Sequence, residues 1–136
     1  MSPHEQAFVD AFVEPARRER AMFCLANPKK REGFTNKFDH HGTDVLIGKY
    51  LRNIEPSQQN PESIYAILRS LGAPSTCHVI SNSKLDGSEI ELLSALEQVV
   101  GYGMGTVISC VPGKLGYFEG EWKERYILER LTVSRS

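Results

Sequence analysis

Asn60-Pro61-Glu62-Ser63-Ile64-Tyr65-Ala66-Ile67-Leu68-Arg69-Ser70-Leu71-Gly72-Ala73-Pro74-Ser75-Thr76-Cys77-His78-Val79-Ile80-Ser81 is the stretch over which the apolar rhythm of the chain changes. Before Gly72, Ile64, Ile67, Leu68 and Leu71 recur at helical spacing behind an Asn60-Pro61 cap. After Pro74 the run Thr76 to Ser81 is short, β-branched and bounded by turn residues, which predicts a strand. The chain is therefore helical up to residue 72 and strand-rich over residues 75–131.

On the N-terminal side, Ser2, Pro3 and Glu5 form a capping box that opens a helix carrying Phe8 and Phe12 on one face. Pro15 breaks that helix, because proline lacks the amide donor an interior position needs. A second helix is expected from Pro15 to Leu25, bearing Met22, Phe23 and Leu25. Asn27-Pro28 opens a third, with Phe34 and Phe38 one turn apart and Gly42 as its stop. Val45 to Leu51 reads as a further short helix, weakened by Gly48, and residues 53–60 read as a connection.

On the C-terminal side, Asp86-Gly87 predicts a turn, and Ser88 with Glu91 a capping box for a helix carrying Ile90, Leu93, Leu96 and Val100. Strands follow at Thr106 to Val111, Leu115 to Glu119 and Arg125 to Leu131. The order is β-α-β-β-β, with the last three close enough for an antiparallel meander. The pairing direction of the first strand is left open by a gap long enough for a crossover. The expected fold is a single two-layer α+β domain, residues 1–136, whose helical N-terminal half packs on a small, mostly antiparallel C-terminal sheet.

Composition agrees with a globular protein. Of 136 residues, 40% are hydrophobic and 24% charged, and the formal net charge is −1. Three cysteines without CxxC spacing argue against a disulfide scaffold and for a reducing compartment. The first residues lack a cationic-then-apolar leader pattern, and no apolar run spans a bilayer, so a cytoplasmic location without a membrane partner is expected.

Charge is unevenly spread. Residues 15–41 hold seven basic groups (Arg17, Arg18, Arg20, Lys29, Lys30, Arg31 and Lys37) against three acidic ones. Such cations neutralise phosphates, which makes nucleic acid or another polyanion a possible partner; the ordinary reading is a solvated helix face of mixed sign. Phe23 and Phe34 are read as helical core positions rather than stacking platforms.

Asp39, His40 and His41 are metal-ligating residue types in one cluster, set against the plainer reading of a polar helix end. His78 adjoins Cys77, and Cys110 lies on a strand that can neighbour it. Adjacent strand residues point to opposite faces, so Cys77 and His78 are not expected to share a site. Glu119 and Glu121 are two apart, followed by Lys123, a pattern in which carboxylates hold a divalent cation. The Glu121-Trp122-Lys123 spacing resembles part of the PD-(D/E)xK nuclease motif, which implies metal-assisted phosphodiester hydrolysis; a solvated hairpin end explains the same residues.

Gly101-Tyr102-Gly103-Met104-Gly105 follows a helix and precedes a strand, so it reads as a tight connection rather than a phosphate loop. Tyr117, Phe118 and Trp122 crowd one hairpin. Alternation sends Tyr117 and Phe118 to opposite faces, leaving one exposed or covered by the N-terminal helices and making the three candidate interface residues. No constellation satisfies residue type, spacing and context together. The expected function is therefore a non-enzymatic binding or regulatory module with a protein partner or a second copy of itself. No metal or cofactor is required, and the alternatives are a phosphodiester hydrolase and a nucleic-acid binder.

Overall fold

The structure, a computed structural model, describes residues 1–121 and 124–130, with the side chains of Asp39 and His40 also outside the description. Its helices are α1 (Pro3–Phe12), α2 (Arg18–Ala26), α3 (Arg31–Val45), α4 (Pro61–Ser70) and α5 (Leu92–Val99). Its strands are β1 (Leu51–Asn53), β2 (Thr76–Ser81), β3 (Glu89–Glu91), β4 (Thr106–Val111), β5 (Leu115–Glu119) and β6 (Arg125–Glu129). They form one six-stranded sheet in the order β1-β6-β5-β4-β2-β3, antiparallel at every pairing. The fold is α+β, with the N-terminal helices packed on a C-terminal antiparallel sheet, as the rhythm change predicts. No helix among the described residues is long and apolar enough to cross a membrane.

Register explains why the strands are buried along nearly their whole length. The paired row Val79, Ile108, Tyr117 and Ile127 faces one side of the sheet. The adjacent row Ile80, Val107, Phe118 and Tyr126 faces the other. The second row packs with Phe8, Phe12, Phe34 and Phe38 from α1 and α3. The first packs with Ile64 and Leu68 of α4 and Leu92 and Leu96 of α5. Helices thus cover both faces, and a strand apolar on both sides shows no simple alternation. Tyr117 and Phe118 point to opposite faces, as period-2 geometry requires, yet each is fully buried in its own core. Neither is an interface residue in this structure, which corrects the reading of the hairpin as an aromatic surface. Trp122, the third member of that reading, lies outside the described residues.

Several local expectations change for tertiary reasons. Gly42 does not stop α3; the helix continues to Val45, with a departure from helical geometry at His41. A Cβ at Gly42 would overlap the ring of Phe118, so glycine there makes room for an aromatic from β5. Phe38 meets the same ring edge-on at 5.9 Å. After α3 the chain forms a 3-10 turn at Gly48–Tyr50 and then β1, in place of the short helix expected over residues 45–51. α2 is preceded by a 3-10 turn at Pro15–Arg17. Ser88 and Glu91 do not cap α5; residues 89–91 pair with β2 as an edge strand, and α5 begins at Leu92. β2 also pairs antiparallel with β4, which resolves the direction left open above.

Candidate functional site

The most concentrated polar chemistry lies where α1 and α3 meet β2. Ser2 caps α1 by accepting from the Glu5 amide at 3.2 Å, which is half of the expected capping box. The Glu5 carboxylate does not return to the cap. Instead it accepts from Arg31 Nη1 and Nη2 at 2.8 and 2.9 Å and from His78 Nε2 at 2.7 Å. Arg31 also donates to both oxygens of Asp86, at 2.8 and 2.9 Å, and to the Leu25 carbonyl at 2.9 Å. Asp86 in turn accepts from the Ser81 amide at 3.0 Å. One guanidinium is gripped by two carboxylates, the fork geometry that arginine supplies and lysine cannot.

This network ties the start of α1 to α3 and to β2. Here both Glu5 and the Ser2 hydroxyl, at 3.3 Å, lie against the same His78 Nε2. His78 Nδ1 is buried without a hydrogen-bond partner, and Glu89 lies 3.8 Å away. The His4 ring stacks on His78 at 5.5 Å, and its Nδ1 lies 2.7 Å from the Ser109 hydroxyl. Burial first, then the neighbouring His78, hold the His4 pKa below the usual imidazole value. Together these contacts clamp the start of α1 onto β2 and β4.

Burial alone would raise the Glu5 pKa. The hydrogen bonds from His78 and Arg31 outweigh it and bring the group from 4.5 down to about 2. A depressed folded-state pKa gives stability that is complete above the unfolded value and lost as the pH falls through the folded one. Wild-type protein should therefore lose about 3 kcal/mol at this group as the pH falls. The window runs from about 4.5 to about 2. Acid titration of unfolding free energy checks this, with Glu5→Gln expected to lack that limb.

A second internal anion explains the glycine run. Glu119 is wholly buried, and its carboxylate accepts from the Gly101 amide at 3.1 Å, the Gly103 amide at 2.7 Å and the Tyr117 hydroxyl at 2.6 Å. Arg125 Nε lies 3.6 Å away. Gly101 and Gly103 have φ of 93° and 71°, backbone that side chains resist and that aims successive N–H groups inward. The loop does cradle an anion, supplied by the protein itself. Glu119 therefore does not present itself to an external metal.

The other sequence candidates are scattered. His41 is exposed, with Nδ1 3.6 Å from Asp44, while the Asp39 and His40 side chains lie outside the described residues. Cys77 and Cys110 point together into the α4–α5 core, away from His78. Burial pushes the Cys77 thiol up to about 12 and the Cys110 thiol higher still. Among the described residues no three His, Cys, Asp or Glu side chains converge to hold a metal. Of the seven cations, Arg31 is spent internally and Arg18 donates to the Val13 carbonyl at 2.9 Å. Lys29 and Lys30 are exposed on the turn before α3, whereas Arg17, Arg20 and Lys37 line a common groove. The seven do not form one continuous polyanion face. Phe34 is buried as expected, but Phe23 is half exposed, a correction to its reading as core.

One apolar cleft, of about 210 Å³, is lined by Leu85, Val99, Tyr102 and Met104 together with Lys84 and Gln98. Tyr102 is 70% exposed and Met104 42%. The walls are fixed from behind. Glu119 anchors the glycine loop, and Ser83 Oγ accepts from the Leu85 amide at 3.2 Å and the Ser81 hydroxyl at 3.0 Å on the opposite side. Sequence reasoning read the glycine run by its backbone alone. The available signal was two large apolar side chains set between glycines, outside any helix or strand rhythm.

No family model, curated protein or solved structure matches the chain.

Proposed function

We propose that this protein is a non-enzymatic binding module that docks a protein partner at the Tyr102–Met104 cleft. The observation that carries the reading is a contrast in how the side chains are used. Glu5, Arg31 and Glu119 are committed to internal partners, while two large apolar side chains stand in solvent over a preformed cleft. An exposed apolar hollow on a rigid frame, with few polar groups at its rim, is the usual form of a site that takes an anchor side chain.

Charge narrows the occupant. Lys84 is exposed at the rim and has no acidic partner among the described residues. It complements a carboxylate on the incoming chain. The partner segment then carries an aliphatic or aromatic anchor within a residue or two of Asp or Glu, a pairing that adds specificity more than raw affinity. The cleft is large enough for one such side chain and too small for a whole helix face.

Selection from a random peptide library displayed on phage tests this. Wild-type protein should enrich peptides with an apolar residue beside an acidic one, and a Tyr102→Ser/Met104→Ser variant should enrich none of them. Light scattering should give the mass of a monomer. Enrichment without that pattern, retention by the variant, or a dimer closed through this cleft would each contradict the proposal.

A further inference from the structure

We infer that the groove between the Pro15–Arg17 turn, α2 and α3 is a second binding site, for a small phosphate monoester with a flat apolar body. Arg17, Arg20 and Lys37 surround a cavity of about 190 Å³ whose floor is Ala21, Phe34 and Val45. None of the three cations has an acidic partner among the described residues. Arg31, one helix turn or two away on α3, is by contrast held by two carboxylates. Three like charges around one small space repel one another, and a bound anion relieves that repulsion.

Size and charge select the class. At about 190 Å³ the cavity has room for one phosphate group and the start of its substituent. A phosphate monoester carries about −1.5 to −2 charges at neutral pH and offers three acceptor oxygens, which two arginine forks and a lysine complement. The apolar floor suits an organic substituent rather than free inorganic phosphate. Ala16 and Arg20 continue the wall into a more open depression that carries Phe23 and Glu19. Phe23 is 50% exposed, with the Arg20 guanidinium 5.6 Å from its ring centre, so it offers an aromatic face beside the cations. A flat body stacks there while its phosphate lies in the groove. Glu19 in the same depression repels a continuing phosphate backbone, which favours a small ligand over a nucleic-acid strand.

A titration of isotope-labelled protein, followed by amide NMR at low salt, tests the site with phenyl phosphate, phenol, inorganic phosphate and a single-stranded oligonucleotide. Phenyl phosphate should shift amides of residues 16–23 and Lys37 and bind roughly tenfold more tightly than inorganic phosphate, with phenol silent. Arg17→Gln/Arg20→Gln should weaken it at least about tenfold, and Lys37→Gln should do so independently. Phe23→Ser should erase the preference over inorganic phosphate. Unchanged amide spectra away from the groove certify that these exposed variants fold. Absence of shifts at millimolar phenyl phosphate, shifts confined to other surfaces, or binding undiminished in the folded variants would overturn the assignment. Tighter binding of the oligonucleotide than of phenyl phosphate would overturn it too, in favour of a nucleic-acid surface.

Discussion

Replacing Arg31 with methionine is expected to destabilise the protein by about 3–5 kcal/mol, the range for removing one partner of a buried ion pair. The Arg31 side chain is 18% exposed and that of Glu5 3%, so water cannot replace the lost guanidinium at Glu5. The variant leaves a carboxylate inside the domain with His78 as its remaining side-chain partner, and it frees Asp86 from the same grip. Part of the penalty is desolvation of the orphaned charge rather than the strength of the original contact. For a domain of this size the melting temperature should fall by roughly 10–20 °C. Glu5→Gln combined with Arg31→Met should cost clearly less than the sum of the single changes, because the orphan charge is gone. Urea unfolding of the four proteins reads both quantities. A loss under about 1 kcal/mol for Arg31→Met would class the pair with exposed salt bridges and contradict its role as an internal clamp.

Glu119→Ala should cost about as much, roughly 3–5 kcal/mol, for a different reason. Here the anion is the acceptor, and its removal strands the Gly101 and Gly103 amides and the Tyr117 hydroxyl together. Arg125 Nε, already without a hydrogen bond and 3.6 Å from Glu119, loses its counter-charge as well. Tyr117→Phe removes one donor and leaves the rest of the cradle, for an expected loss of about 1 kcal/mol. Hydrogen exchange separates the two variants: Gly101 and Gly103 amides should exchange much faster in Glu119→Ala and almost normally in Tyr117→Phe. Equal stability losses in both would mean that the cradle contributes nothing beyond the Tyr117 hydrogen bond. Because the same loop carries Tyr102 and Met104, loosening it should also weaken occupancy of the cleft.

How much of this is legible in the chain depends on the range of the interaction. Ser2 and Asn60 cap their helices as read, each accepting the amide bond that the local pattern predicts. Strands β4, β5 and β6 form the antiparallel meander, as strands close in sequence commonly do. A glycine near a helix end usually terminates it, whereas Gly42 accommodates a ring from β5 inside α3. Glu5 looks like a capping-box residue by spacing, yet its partners are 26 and 73 positions away. No local signal encodes such a meeting. Alternation correctly separates Phe118 from Tyr117, but it does not say that helices lie on both faces. The same limit hid the cleft, whose walls come from the segment after β2, the end of α5 and the glycine loop.

The most direct measurement is a charge exchange across the cleft rim. A peptide selected by wild-type protein is titrated against wild type and Lys84→Glu, alongside a counterpart whose acidic residue is replaced by lysine. Docking at this site predicts tight binding for the two complementary pairs and weak binding for the two like-charged pairs, with the apolar anchor unchanged. Affinities that ignore the sign at residue 84 while tolerating loss of Tyr102 would contradict it.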